Sequence, residues 1–182
     1  NNHFGCDIDK RASTLANFAL TMKARLYHKR FLKKPTNANI IELQEFGTQE
    51  FKGIKNFGSL LAPKDIQSFD DGIFSKNNAQ YDLQLKILTS TYSCVVTNPP
   101  YMGGKGMNAE LADFVKNRYP DSKSDLFAVF IERGFEITKD LGYMAMITMQ
   151  SWMFLSSYEK MREKLLKDYS ISTMAHLDNM VM

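Results

Sequence analysis

The 182-residue sequence predicts an α/β domain built on a mostly parallel, doubly wound sheet. Three observations carry that expectation. Short apolar runs alternate with helical patterns, giving about five strands in order. Tyr143-Met144-Ala145-Met146-Ile147-Thr148-Met149 is apolar on both faces, as a central parallel strand requires. The run Cys94-Val95-Val96 reads as a buried strand and stops at Asn98-Pro99-Pro100, where neither proline has an N–H for a ladder.

The elements follow in order. Phe4 to Asp9 reads as a short strand ending in acid. A helix follows, with apolar residues at Ala12, Leu15, Ala16, Phe18, Ala19, Met22, Leu26 and Tyr27, broken by Pro35-Thr36-Asn37. Asn39-Ile40-Ile41-Glu42-Leu43 is the next strand. Residues 46–80 are polar and turn-rich and read as an insertion or long solvated connection with short helical pieces. Tyr81 to Leu88 reads as a crossover helix with Leu85 and Leu88 inward. Beyond the central strand, a helix runs from Asn108 to Arg118 and ends at Tyr119-Pro120. Ser124 caps the next, whose stripe Leu126, Phe127, Phe130, Ile131, Gly134 and Ile137 is core. Asp140-Leu141-Gly142 is a turn, Trp152 to Leu166 an amphipathic helix, and Ile171 to Leu177 the last strand.

Composition narrows the function. No run is long enough to span a membrane, and the opening residues Asn1-Asn2-His3-Phe4 lack the marks of a signal peptide, so a cytoplasmic protein is expected. Cys6 and Cys94 read as two reduced, buried thiols, and His3, His28 and His176 share no ligand spacing, so no metal is expected. The net charge of +3 is uneven: residues 1–34 hold eight Lys/Arg against two Asp. That cluster could track phosphates, but a solvated helix face is the simpler reading.

The chemistry concentrates at Asn98-Pro99-Pro100-Tyr101. The Asn98 side-chain carbonyl and the Pro99 main-chain carbonyl could both accept from one planar –NH2 group and aim its lone pair at an electrophile. Tyr101 offers a flat face for the ring that bears this amine. A rigid Pro-Pro turn with a packed tyrosine is the bland alternative. After Tyr101, the Gly103-Gly104-Lys105-Gly106 loop lacks the spacing of a phosphate-binding P-loop. Its glycines permit positive φ and mobility; it reads either as a loop ordering over a substrate, with Lys105 near phosphate, or as a flexible connector. For the first strand, Asp9 reads as the helix cap and Asp7 as a free carboxylate able to accept both hydroxyls of a ribose.

These residues resemble a known family. The Val95-Val96 strand followed by Asn98-Pro99-Pro100-Tyr101 is similar to the motif of amino-methyltransferases that use S-adenosylmethionine, most typically the N6-adenine DNA methyltransferases. Met102 to Gly106, Tyr119-Pro120 and Ser124 to Arg133 resemble more narrowly the large methyltransferase of BREX phage-exclusion systems and related type IIG enzymes. The resemblance implies a Rossmann-like fold, S-adenosylmethionine as cofactor, and DNA with a flipped adenine as partner beside other subunits of a defence system. It implies Asn98 and Pro99 on the amine, Pro100 as the rigid link and Tyr101 on the base. Asp7 would hold the cofactor's ribose, Ile8 would pack on its adenine, and Gln44 or Glu45 would meet the adenine amine.

The sequence departs from that pattern in places. Tyr92-Ser93 stands where relatives carry an Asp, and no glycine-rich strand-to-helix turn precedes Phe4. The chain therefore reads as residues 1–182 of a partial catalytic domain, without its first strand, glycine-rich loop or DNA-specificity region, and is expected to bind cofactor weakly or not at all and not turn over alone. Two alternatives stay open: methylation of a protein glutamine amide or an RNA amine, and a non-catalytic DNA-binding or assembly module. The Gly-Gly-Lys-Gly loop and the 46–80 stretch disfavour the first.

Overall fold

A computed structural model describes residues 3–33, 38–62 and 78–177. They fall into two compact units, Asn1–Ser90 and Thr91–Met182.

In the first unit, β1 (Phe4–Asp7) leads into α1 (Lys10–Tyr27), and β2 (Asn39–Glu42) returns parallel to β1. The register runs from Phe4 opposite Asn39 to Asp7 opposite Glu42, so both acidic strand ends share one edge. Asp9 caps α1, its side chain accepting from the Arg11 N–H at 2.7 Å. Arg11 also pairs with that carboxylate, and its hydrogen bond holds the Asp9 pKa below the usual carboxylate range. Asn17 ties α1 to β2 by donating to the Ile40 carbonyl at 3.0 Å. The helix ends at His28, well before the expected break, and Pro35-Thr36-Asn37 lies outside the described residues. Its apolar stripe, Leu15, Phe18, Met22 and Leu26, is exposed.

The first part of the 46–80 stretch differs from a solvated connection. It folds into two 3-10 turns (Gln49–Phe51 and Gly58–Leu60) flanking α2 (Ile54–Phe57). Phe51, Ile54 and Leu60 are fully buried. Phe51 and Ile54 join Leu43 with Tyr81 and Leu88 of α3 (Ala79–Thr89) in one core. Gly53 sits at φ 75°, and a Cβ there would meet the Phe57 ring at 2.6 Å, so this turn needs glycine. Residues 63–77 of the expected insertion lie outside the described residues.

In the second unit, β3 (Tyr92–Thr97) pairs in parallel with β4 (Thr138–Met146). Between them in sequence come α4 (Ala109–Arg118) and α5 (Leu126–Ile137). Asp140-Leu141-Gly142 forms an irregularity within β4: Tyr92 lies opposite Thr138, but Cys94 already lies opposite Tyr143, and Leu141 turns at φ 61°. Phe127, Ala128 and Ile131 of α5 pack with Tyr158 and with Met161 and Leu165 of α6 (Glu159–Asp168). A Cβ on Gly134 would fall 2.3 Å from the Met144 sulfur, so helix and strand meet closely only because that residue is glycine.

Five expectations change. The α5 cap is Asp125 rather than Ser124, because the Asp125 carboxylate accepts the Phe127 N–H. The central strand is not buried on both faces: alternation turns Val95, Thr97, Met144 and Met146 inward, and leaves Cys94, Val96 (75% exposed), Tyr143 and Ala145 outward. Neither cysteine is in a disulfide, and neither is buried as expected: Cys94 is exposed for this reason and Cys6 is half-buried. Trp152 to Leu166 is not one helix, since two 3-10 turns (Gln150–Met153 and Ser156–Tyr158) precede α6. Finally, Ile171–Leu177 is exposed and forms no strand. Apolar β-formers make a strand only where a neighbour supplies a ladder, and among the described residues none pairs with this stretch. The described strands therefore number four, in two parallel pairs.

Candidate active site

The Asn98 motif emerges from the carboxyl end of β3, with Pro99 buried and Asn98, Pro100 and Tyr101 exposed. The Tyr101 hydroxyl lies 3.1 Å from Asn98 Oδ1 and 3.1 Å from the Ile147 carbonyl just past β4. Its single proton serves one acceptor at a time, so the hydroxyl acts as a strut between the motif and the neighbouring strand end. The ring stands edge-on to Phe127 at 6.3 Å between centroids. One wall of Tyr101 is thus fixed while 44% of the residue stays open to solvent. Asn98 Oδ1 retains a second lone pair, so an incoming N–H still finds an acceptor there.

The glycine loop does not behave as a free connector at its start. Gly104 N–H donates to the Ser124 carbonyl at 3.1 Å, and Gly106 N–H closes a turn onto Gly103 at 2.8 Å. None of Gly103, Gly104 and Gly106 uses the positive φ that glycine permits. Space is the constraint at Gly106, where a Cβ would sit 3.0 Å from Met102 Cγ. Lys105 is exposed on this loop.

The second group of expected residues gathers at the carboxyl edge of the β1–β2 pair. Asp7 Oδ1 accepts the Asp9 N–H at 2.7 Å, which fixes the carboxylate at the strand end. Its other oxygen accepts no hydrogen bond seen among the described residues. Ile8 is about half exposed, and its carbonyl takes a hydrogen bond from Lys55 Nζ at 3.1 Å. The same ammonium sits 2.6 Å from Glu42 Oε1 and holds the Glu42 pKa below the usual carboxylate range, with a smaller contribution from the Gln44 side chain. Gln44 follows β2, and its backbone is already engaged by Gln84. Glu45 is exposed, and Phe46 turns the chain at φ 52°. Such a conformation strains a non-glycine residue. Here the Phe46 ring is held against Phe51 and Tyr81 at 5.8 and 5.6 Å.

Sequence reasoning missed Glu42, Lys55, Gln84 and Asp125. Only Glu42 left a usable signal, as the acid that ends the second strand just as Asp7 ends the first. Among the described residues, no group of three or more His, Cys, Asp or Glu could hold a metal ion, and no helix is long and apolar enough to cross a membrane.

Comparison with known proteins now bears on this geometry. The model of the Eco57I restriction-modification methylase family matches residues 1–181. The chain belongs to that family. Among its relatives, the adenine-specific methyltransferase BrxX of Escherichia coli O9:H4 (strain HS) is 36% identical over 241 residues, covering 97% of this chain and 20% of BrxX. The adenine-specific methyltransferase PglX of Lacticaseibacillus casei (strain Zhang) is 37% identical over 220 residues, covering 97% of this chain and 18% of PglX. The type II restriction enzyme and methyltransferase RM.Eco57I of Escherichia coli is 28% identical over 121 residues, or 64% of this chain and 12% of that protein. This Eco57I-family chain thus spans about a fifth of the length of the first two relatives.

Proposed function

We propose that this chain is the catalytic segment of a longer enzyme that moves a methyl group from S-adenosylmethionine to the N6 amine of adenine in DNA, within a host-modification or phage-defence system. The observation that carries the reading is Asn98, held by the Tyr101 hydroxyl beside the buried Pro99 at an open strand end. An adenine must leave the base stack to reach such a site. Asn98 Oδ1 and the Pro99 carbonyl accept the two N–H bonds of its amine, Pro100 keeps the link rigid, and the open face of Tyr101 stacks on the ring. Lys105 lies on the loop that meets the DNA backbone.

The cofactor supplies an electrophilic methyl group on a sulfonium. The residues at the β1–β2 edge fit it: Asp7 has a spare carboxylate oxygen for the ribose hydroxyls, and half-exposed Ile8 offers an apolar surface for the adenine. The Gln44 side chain or the Glu45 carboxylate meets the adenine amine, since the Gln44 main chain is occupied. Catalysis then rests on positioning, with no covalent intermediate on the protein. The fold class, in this reading, is that of a Rossmann-like domain with a mostly parallel, doubly wound sheet. Residues 1–182 form part of that domain, with 46–80 as an insertion, and DNA specificity resides elsewhere in the enzyme.

The deciding experiment follows labelled methyl from S-adenosylmethionine into DNA with the full-length enzyme. Label recovered as N6-methyladenine supports the reading, whereas label in protein or RNA moves the substrate. No label anywhere, with cofactor unbound, leaves a non-catalytic module. Asp7→Asn keeps the acceptor for Asp9 but replaces the spare oxygen by a donor. It should weaken cofactor binding by about 2 kcal/mol, roughly thirtyfold, in equilibrium titration.

A further inference from the structure

Met102 directly follows the motif, and both of its backbone polar groups are taken by the start of α5. Its N–H donates to Asp125 Oδ1 at 2.9 Å, and its carbonyl accepts the Leu126 N–H at 3.0 Å. Gly103 bridges Asp125 in antiparallel fashion. The same Asp125 oxygen accepts the Phe127 N–H at 3.3 Å as the helix cap. Phe127 in turn braces the Tyr101 ring. Three consecutive residues of one helix end therefore hold three consecutive residues of the motif loop, Tyr101 to Gly103. Everything from Tyr101 to Gly106 is exposed, so burial does little to fix this stretch.

We propose that Asp125 is a positioning residue for methyl transfer: it caps α5 and with the same oxygen clamps the Met102 amide, so that Tyr101 faces the substrate in one orientation. This rests on the proposed function and adds to it. Pro99 and Pro100 stiffen the motif from its N-terminal side. Asp125 supplies the matching restraint on the other side, across 23 residues of sequence. A carboxylate suits the task because it accepts several N–H groups at once and favours a helix N-terminus.

A cap alone does not require aspartate, and that separates the two roles. Serine caps helices about as well, but its hydroxyl stands one atom nearer the backbone. Asp125→Ser therefore keeps the cap and loses the reach to Met102, while Asp125→Asn keeps both acceptor contacts. In the full-length enzyme, the serine variant should exchange the Met102 amide about tenfold faster, with the first amides of α5 still protected. Its kcat on adenine-containing DNA should fall about tenfold, while the KM for S-adenosylmethionine stays unchanged. Asp125→Asn should restore both. Unchanged Met102 protection and kcat in the serine variant would reduce Asp125 to a cap and overturn the proposal. A faster Met102 exchange with wild-type kcat would overturn the positioning role as well. If the wild-type enzyme puts no methyl on adenine, the proposed function fails, and the exchange arm still decides whether the clamp exists.

Discussion

Asn98→Ala in the full-length enzyme should lower methyl transfer to adenine by about a thousandfold, with little change in cofactor affinity. On the proposed function, the substitution removes one of the two carbonyls that would receive the amine, and with it the aim of the lone pair at the methyl carbon. The Tyr101 hydroxyl also loses one of its two acceptors, so its ring is held less firmly. Because Asn98 is exposed, the folded chain should lose no more than about 0.5 kcal/mol, and its unfolding midpoint should stay near the wild-type value. Asn98→Asp offers acceptor oxygens in the same place and should retain part of the activity. A quantitative assay of N6-methyladenine, beside a urea titration of each variant, checks both statements. Full activity in the alanine variant would remove Asn98 from the chemistry.

The second large effect is on stability. Gln84 is fully buried, and its amide meets the backbone of Gln44 at both ends. Gln84 Oε1 accepts the Gln44 N–H at 2.8 Å, and Gln84 Nε2 donates to the Gln44 carbonyl at 2.8 Å. This pair extends the edge of β2 through a side chain, in place of the next strand's backbone. Gln84→Leu keeps the volume and removes both hydrogen bonds. It strands a backbone donor and a backbone acceptor against an apolar group, and the cost should be about 3 kcal/mol. Urea unfolding should show a lower midpoint with an unchanged slope. On the proposed function, cofactor binding should weaken in the same variant, because Gln44 and Glu45 lose the anchor that holds them. A loss under about 1 kcal/mol would mean that water replaces the amide without difficulty.

Much of this was written locally. Asp9 and Asn108 cap their helices within three residues of their own positions, and the apolar spacings of α3, α4 and α5 place those helices within a residue or two. The strand that ends in two prolines puts Asn98 and Tyr101 at its carboxyl edge by covalent rules alone. Where the outcome hinged on a distant partner, the residues themselves carried no mark of it. Ile171–Leu177 has the composition of a strand but no neighbour to pair with among the described residues. Val96 has the character of a core residue but sits on the outward face of a two-stranded pair.

The sequence by itself determined which candidate groups stand together: an amide and a carbonyl able to accept an amine, a ring beside them, and an acid at the end of the first strand. Only the tertiary structure decided what holds those groups still. Asp125 clamps Met102 across 23 residues, Gln84 anchors Gln44 across 40, and Tyr101 reaches the Ile147 carbonyl across 46. The physical reason is range. Caps, turns and helical faces are set by neighbours three or four residues away, and spacing shows them. Hydrogen bonds between distant segments depend on which backbone groups folding leaves without a partner, and that is settled only when the segments meet.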